Sequence, residues 1–236
     1  MSCGAVVFDM FHTLVAPEDY RPKSFRRADQ VAEILDLPRK AFSSYWTDTR
    51  ECRVSTDTPP LELVKDFIRQ RDIEATHEDL ARADDVLGRY QDLAILNPRQ
   101  SILDALQKIR ACQLIVGLLS NADTREIRQW PNSPLASCFD ELCFSCEIGF
   151  AKPDIKAFQT VLCRLEVDSV ERMVFVGDGG GGELQAAREA EFDLVVFFRR
   201  FVARNGLRTD RQLHMFEKQA HVTVDSMKEL LDLIAQ

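Results

Sequence analysis

Polar residues of a reactive kind stand at the ends of apolar runs in this chain. Asp9 closes "AVVFD" and is followed four positions later by Thr13; Ser120 and Asn121 end "QLIVGLLSN"; Lys152 lies in "GFAKPD"; Asp178 opens the glycine run of "VGDGGGGEL", with Glu183 just beyond. A carboxylate such as Asp9 can attack phosphorus or an electron-poor carbon, forming a covalent intermediate that water then hydrolyses. Anionic phosphate would be repelled by Asp9 and Asp178 unless a cation intervened, and Mg²⁺ takes oxygen ligands while keeping several waters. Singly, each residue has a plainer reading: an aspartate after a strand starts a turn, a serine closes one, and a loop lysine is solvated.

The elements that must position these residues are short β-rich runs separated by helical stretches. The runs cover 5–9, 113–120, 141–145, 172–178 and 193–198, with "HVTV" as a short edge strand. Helical periodicity fills "SILDALQKIR", "DIKAFQTVLCRL", "GELQAAREA" and a final "SMKELLDLI"; Ile102, Ala105, Leu106 and Ile109 share one face. That alternation predicts an α/β, Rossmann-like parallel sheet flanked by helices on both faces. Its strand ends lie along one edge, so all four sites can meet in one pocket.

Residues 15–97 read differently. They hold no strong strand, and two apolar stripes, Phe25, Ala28, Val31, Ala32, Leu35 and Leu61, Val64, Phe67, Ile68, follow helical spacing. The expected organisation is a catalytic core formed by 1–14 and 98–236, with 15–97 as a small all-helical cap domain. Entering after the first strand, such a cap stands over the ligand edge of the sheet, where it can exclude water and select substrate.

These motifs, in this order, resemble those of the haloacid dehalogenase-like hydrolase superfamily, and the resemblance covers nearly the whole chain. It implies that Asp9 is the nucleophile and Thr13 its motif partner, that Ser120 is the second motif and Lys152 the third, and that Gly177, Asp178 and Glu183 form the fourth. It further implies Mg²⁺ held by Asp9, Asp178 and the backbone carbonyl of Phe11. Lys152 would neutralise the nucleophile and the transferring group, Ser120 and Asn121 would bind the substrate, and Glu183 would orient Lys152 or a metal-bound water.

Phe11 departs from the pattern. Phosphatases of the family carry a second aspartate there, which protonates the leaving group and then activates water, a role worth roughly 10²- to 10⁴-fold. His12 follows, but side chains adjacent along a strand point to opposite faces, which would turn it away. Three readings survive. One is a Mg²⁺-dependent phosphohydrolase acting on a small phosphorylated metabolite, whose leaving group needs little protonation. Another is a 2-haloacid dehalogenase-like enzyme, because haloacid dehalogenases have an aromatic residue at this position and a departing halide needs no proton. The last is a weakly active or non-catalytic member that binds a phosphorylated ligand. Dehalogenases work without metal, so the retained acids Asp178 and Glu183 favour the phosphohydrolase. Arg21, Arg26 or Arg27 would supply the cation that a haloacid carboxylate requires, although arginines on a helix are usually solvated.

Composition bounds the remaining possibilities. With 236 residues and 45% apolar content the chain can bury a real core. A net charge of -8 argues against nucleic-acid or anionic-membrane binding, and the basic run around Arg199, Arg200 and Arg204 is local. No apolar stretch is long enough to span a membrane, and the opening residues lack the features of a signal peptide, so a cytoplasmic location is expected. Seven cysteines suit a reducing compartment. Cys138, Cys143 and Cys146 are close enough in sequence to suggest zinc, but a fourth ligand is absent nearby and buried structural cysteine is the commoner outcome. "GDGGGG" also satisfies the G-x-G-x-x-G dinucleotide fingerprint, and Arg199 would suit a 2′-phosphate; Asp178 inside the loop opposes pyrophosphate binding.

Overall fold

Period-two alternation of β-branched and aromatic residues sets the centre of the molecule. The computed structural model describes residues 4–166 and 172–234. Six strands, β1 (Gly4–Phe8), β2 (Ile115–Ser120), β3 (Glu141–Phe144), β4 (Arg172–Gly177), β5 (Leu194–Phe198) and β6 (Val222–Val224), form one sheet in the order β3-β2-β1-β4-β5-β6. Every pairing is parallel. Val6, Phe8, Val116, Leu118, Val174, Val176, Val196 and Phe198 face one layer of helices, while Val7, Leu119, Phe175, Val195 and Phe197 face the other. Each side chain fully removed from water here contributes about 1.5–3 kcal/mol, and both faces are dry.

The described residues form twelve α-helices. Five lie between the first two strands: α1 (Arg27–Ile34), α2 (Arg39–Asp48), α3 (Arg50–Ser55), α4 (Pro60–Arg69) and α5 (His77–Leu96). Helices α1, α2, α4 and α5 share an apolar cluster of their own, built on Val31, Phe42, Val64, Phe67 and Leu87, which contains both stripes expected from the sequence. The others are α6 (Gln100–Ala111), α7 (Ser145–Ile148), α8 (Ile155–Arg164), α9 (Glu183–Glu189), α10 (Arg200–Arg204), α11 (Asp210–Gln219) and α12 (Met227–Ile234). Helices α6 and α12 cover one face of the sheet; α8, α9 and α11 cover the other.

This is the α/β, Rossmann-like arrangement that the alternation of elements requires. The chain runs outward from β1 to β3, then returns to the other side of β1 as β4. Beyond the ends of β1 and β4 the connections diverge, which opens the crevice where doubly wound sheets place ligands. Among the described residues no helix is long and apolar enough to cross a membrane.

The three clustered cysteines do not converge. Cys143 on β3 packs into one face of the sheet, whereas Cys138 before that strand and Cys146 after it pack into the other. Burial pushes the Cys143 thiol up to about 11 and that of Cys146 up to about 12. They are structural residues.

Candidate active site

Asp9 follows β1 directly, and its backbone N–H continues the ladder to the carbonyl of Val176 at 2.9 Å. Both carboxylate oxygens are held. Lys152 Nζ donates to Oδ1 at 2.6 Å, and the Thr13 hydroxyl donates to Oδ2 at 3.0 Å. The carboxylate plane is therefore fixed, with Asp9 only 6% exposed.

Lys152 reaches this point from the loop between α7 and α8. Its backbone is gripped by Asn121, whose amide donates to the Lys152 carbonyl at 2.7 Å and accepts from the Lys152 N–H at 2.7 Å. Asp154 then caps α8 by accepting from the Lys156 N–H. The ammonium bridges two acids, because Glu183 Oε2 also accepts from Nζ at 2.6 Å. The other Glu183 oxygen accepts from the Gly179 N–H at 3.0 Å. A side chain at Gly177 would have its Cβ 2.3 Å from that oxygen, so only glycine lets the buried acid lie against the strand end. Gly179 turns with a φ of 85° and packs under the Phe216 ring.

Asp178 directly follows β4, with its carboxylate near that of Asp9. Its Oδ1 accepts from the Gly180 N–H at 2.8 Å, and its Oδ2 faces Arg208 Nη2 at 3.1 Å and His12 Nδ1 at 3.7 Å. These contacts also exclude the dinucleotide reading of the glycine run. The amides of Gly179 and Gly180 are turned onto the chain's own carboxylates, where a pyrophosphate would need them, and Arg199 is paired with Asp225 and Glu217.

Oxygens of Asp9, Asp178 and Glu183 lie within 4.8 Å of one another, and all three residues are buried. Burial raises the carboxyl of Asp9, Asp178 adds to that, and Lys152 and Thr13 oppose it. Glu183 is pushed well above the usual range by burial, against Lys152 and with Asp9 and Asp178. Burial opposes the charge on Lys152, but the acids on either side hold its ammonium above the ordinary lysine value. Lys152 bridges Asp9 and Glu183 while Arg208 and His12 face Asp178, and the clustered carboxylate oxygens are donors of the kind a hard cation takes. All three acids have both oxygens hydrogen-bonded, so a cation would share oxygens of Asp9 with Lys152 and Thr13 and of Asp178 with the Gly180 N–H and Arg208.

His12 overturns an expectation. The strand has ended at Phe8, and a tight turn closed by His12 N–H to Val15 C=O puts His12 at a φ of 66°. Strand alternation no longer applies, and the imidazole points into the site, with Nε2 2.8 Å from Glu18 Oε2. Burial works against its protonation; the hydrogen bond and charge of Glu18, with Asp178 and Asp9 behind, outweigh burial and raise its pKa.

A cavity of about 300 Å³ covers this cluster, lined by Asp9, Phe11, His12, Asn121, Lys152, Asp178 and Glu183. Arg21, Arg27 and Arg50 complete its wall from the helical insert, and Arg208 from the core. The Ser120 hydroxyl is buried at the end of β2 with no hydrogen-bond partner among the described residues. Among the charged lining residues, Glu18, Arg50, Glu126 and Arg208 carried no sequence signal. Arg208 lies in the loop before α11, where it precedes the Thr209–Gln212 capping box.

A family model described as "Hydrolase: haloacid dehalogenase-like hydrolase" matches residues 3–191. The chain belongs to the haloacid dehalogenase-like hydrolases. The comparison with curated proteins gave no match. Solved structures similar to this haloacid dehalogenase-like chain include the L-2-haloacid dehalogenase of Xanthobacter autotrophicus with chloropropionic acid covalently bound. That structure is 16% identical, with coverage of 100% of this chain and 99% of the other and a TM-score of 0.59. A haloacid dehalogenase-like phosphatase of Thermococcus onnurineus is 18% identical, with coverage of 98% and 97% and a TM-score of 0.62. A further dehalogenase is 21% identical, with coverage of 100% and 98% and a TM-score of 0.62. At these identities the likeness is one of fold, shared by members that act on carbon and on phosphorus.

Proposed function

We propose that this chain is a Mg²⁺-dependent phosphohydrolase that acts on a small phosphorylated metabolite through an aspartyl-enzyme intermediate on Asp9. The observation that carries the reading is the buried trio Asp9, Asp178 and Glu183, with Lys152 between Asp9 and Glu183 and Arg208 on Asp178. A haloacid reaction has no need of Asp178, whereas phosphoryl transfer needs a cation there.

In this reading an Asp9 carboxylate oxygen attacks phosphorus, and the bond from phosphorus to the leaving oxygen breaks. Lys152 holds Asp9 in line and neutralises charge on the transferring group, and the unpartnered Ser120 hydroxyl donates to a non-bridging oxygen. Phe11 offers no proton, so the leaving oxygen takes one from water, which favours substrates with a stable leaving group. Water then attacks phosphorus, the bond to Asp9 breaks, and inorganic phosphate leaves. When bound, Mg²⁺ at Asp9, Asp178 and the Phe11 carbonyl supplies charge neutralisation for the phosphoryl oxygens. Asn121 is a positioning residue through its grip on Lys152. Residues 15–97 serve as the cap, contributing Arg21, Arg27 and Arg50 to the pocket.

A second reading rests on Phe11. It lines the pocket beside Asp9, and Arg21 and Arg27 stand in the same wall, an arrangement that also suits attack on the carbon of a haloacid. Hydrolysis of an aryl phosphate and of 2-chloropropionate, each with Mg²⁺ and with chelator, separates the two. Metal-dependent phosphate release supports the phosphohydrolase; chloride release insensitive to chelator replaces it with the dehalogenase.

A further inference from the structure

The space above Asp9 does not end at the reacting centre. Glu18, Arg21 and Arg27 line both that pocket and an adjoining groove of about 540 Å³. One wall of the groove is the approach to α1, with Lys23 and Arg26; the other is the end of α10 and the turn after it, with Arg204. Arg21, Lys23, Arg26, Arg27 and Arg204 face one lining carboxylate, Glu18.

That carboxylate is already shared, for Oε1 pairs with Arg21 and Oε2 with His12. Arg27 is paired with Glu126, and Arg204 with Asp19. Lys23 and Arg26 have no such partner, since among the described residues no carboxylate lies within ion-pair distance of either. Arg26 is nevertheless held in place: its Nη1 donates to the carbonyls of Lys23 at 3.0 Å and Phe25 at 2.8 Å. A fixed guanidinium with an uncompensated charge and an adjacent free ammonium stand out in a chain of net charge -8. A concave patch of one sign focuses the field and concentrates counter-ions of the opposite sign.

We infer that the substrate carries a second anionic group, a phosphate or a carboxylate, which sits in this groove against Lys23 and Arg26 while its reacting phosphoryl group lies at Asp9. The inference rests on the phosphohydrolase reading and narrows its substrate class to bis-anionic metabolites. The two cavities adjoin at Glu18, Arg21 and Arg27, and one molecule would reach from one to the other past these side chains. Arginine and lysine recognise either anion, so the chemistry names the charge and the test names the group.

The test compares fructose monophosphate, fructose bisphosphate and phosphogluconate as substrates of the wild type and of the K23Q/R26Q double variant. Both residues are exposed, so the variant should fold. The expected result is a kcat/KM at least about 10-fold higher for one of the two bis-anionic compounds, expressed in KM. That advantage should disappear in K23Q/R26Q and shrink with added salt. Which compound gains identifies phosphate or carboxylate. Equal kcat/KM for all three in the wild type would overturn the subsite and leave the hydrolase reading standing. Calorimetric binding to Asp9→Asn supplies the converse. If nothing is hydrolysed but the bis-anionic compounds bind more tightly, and lose that preference when K23Q/R26Q is added, the subsite survives and the hydrolase reading fails.

Discussion

Nζ of Lys152 lies 2.6 Å from Oδ1 of Asp9, across 143 positions of sequence. The contact depends on two separate devices, the end of β1 and the Asn121 clamp on the Lys152 backbone. Because Glu183 shares the same ammonium, the three side chains act as one buried unit.

Lys152→Ala would leave Asp9 and Glu183 buried without their cation. Breaking a buried pair in this way costs about 3–5 kcal/mol, measured as a loss in urea unfolding free energy. Adding Glu183→Gln removes one stranded charge, so K152A/E183Q should be less destabilised than K152A alone. Additive losses from the two substitutions would contradict the shared ammonium.

Phe11→Asp restores a group that can protonate the leaving oxygen. Phosphatase turnover should rise by about 10²- to 10⁴-fold for an alkyl phosphate and much less for an aryl phosphate, whose leaving group needs little help. Equal gains for both substrates would mean that the acid is not what Phe11 lacks.

Arg208 occupies the outer oxygen of Asp178 at 3.1 Å and so competes with any cation for it. Arg208→Gln is expected to tighten Mn²⁺ binding by about 10-fold, on the order of 1–2 kcal/mol, read by paramagnetic resonance titration. Unchanged or weaker binding would show that the guanidinium and the metal do not share this carboxylate.

Asp123, beside Glu126 and Arg27 of the cavity wall, gives a pH signature in stability. Burial, with Glu126 adding and Arg27 opposing, pushes its carboxyl up to about 7. The folded chain therefore binds a proton that the unfolded chain releases near its ordinary value of about 3.9. Stability from this group is full below that lower value and is lost as pH rises toward 7, with a slope of up to about 1.4 kcal/mol per pH unit. Asp123→Asn keeps an oxygen for the N–H groups of Arg125 and Glu126 and should flatten the slope. An unaltered stability profile between pH 4 and 7 would refute the assignment.

Much of this arrangement was legible in the chain itself. Strand alternation around Val6, Val174 and Val196 and helical stripes such as Ile102 to Ile109 are periodic, so the sheet and its covering helices follow from local pattern. Parallel strands place their ends on one edge, and there Asp9, Lys152 and Asp178 line one cavity. What escaped is set by loop paths, which have no period. His12 turns inward because the chain adopts a left-handed residue once β1 has ended. Arg208 comes from a loop 30 residues beyond Asp178. Asn121 resembles a substrate ligand in sequence but directs its amide to the Lys152 backbone.

Asp9 bears the weight of the mechanism, and its replacement tests it most directly. Phosphate release from an aryl phosphate under saturating Mg²⁺ is to be compared in the wild type and in Asp9→Asn, with the fold of each checked by circular dichroism. Asparagine can keep the hydrogen bond to Thr13 but is a poor nucleophile, so the predicted result is a folded variant slower by roughly 10⁴-fold or more. A folded Asp9→Asn that releases phosphate at the wild-type rate would contradict covalent catalysis by Asp9.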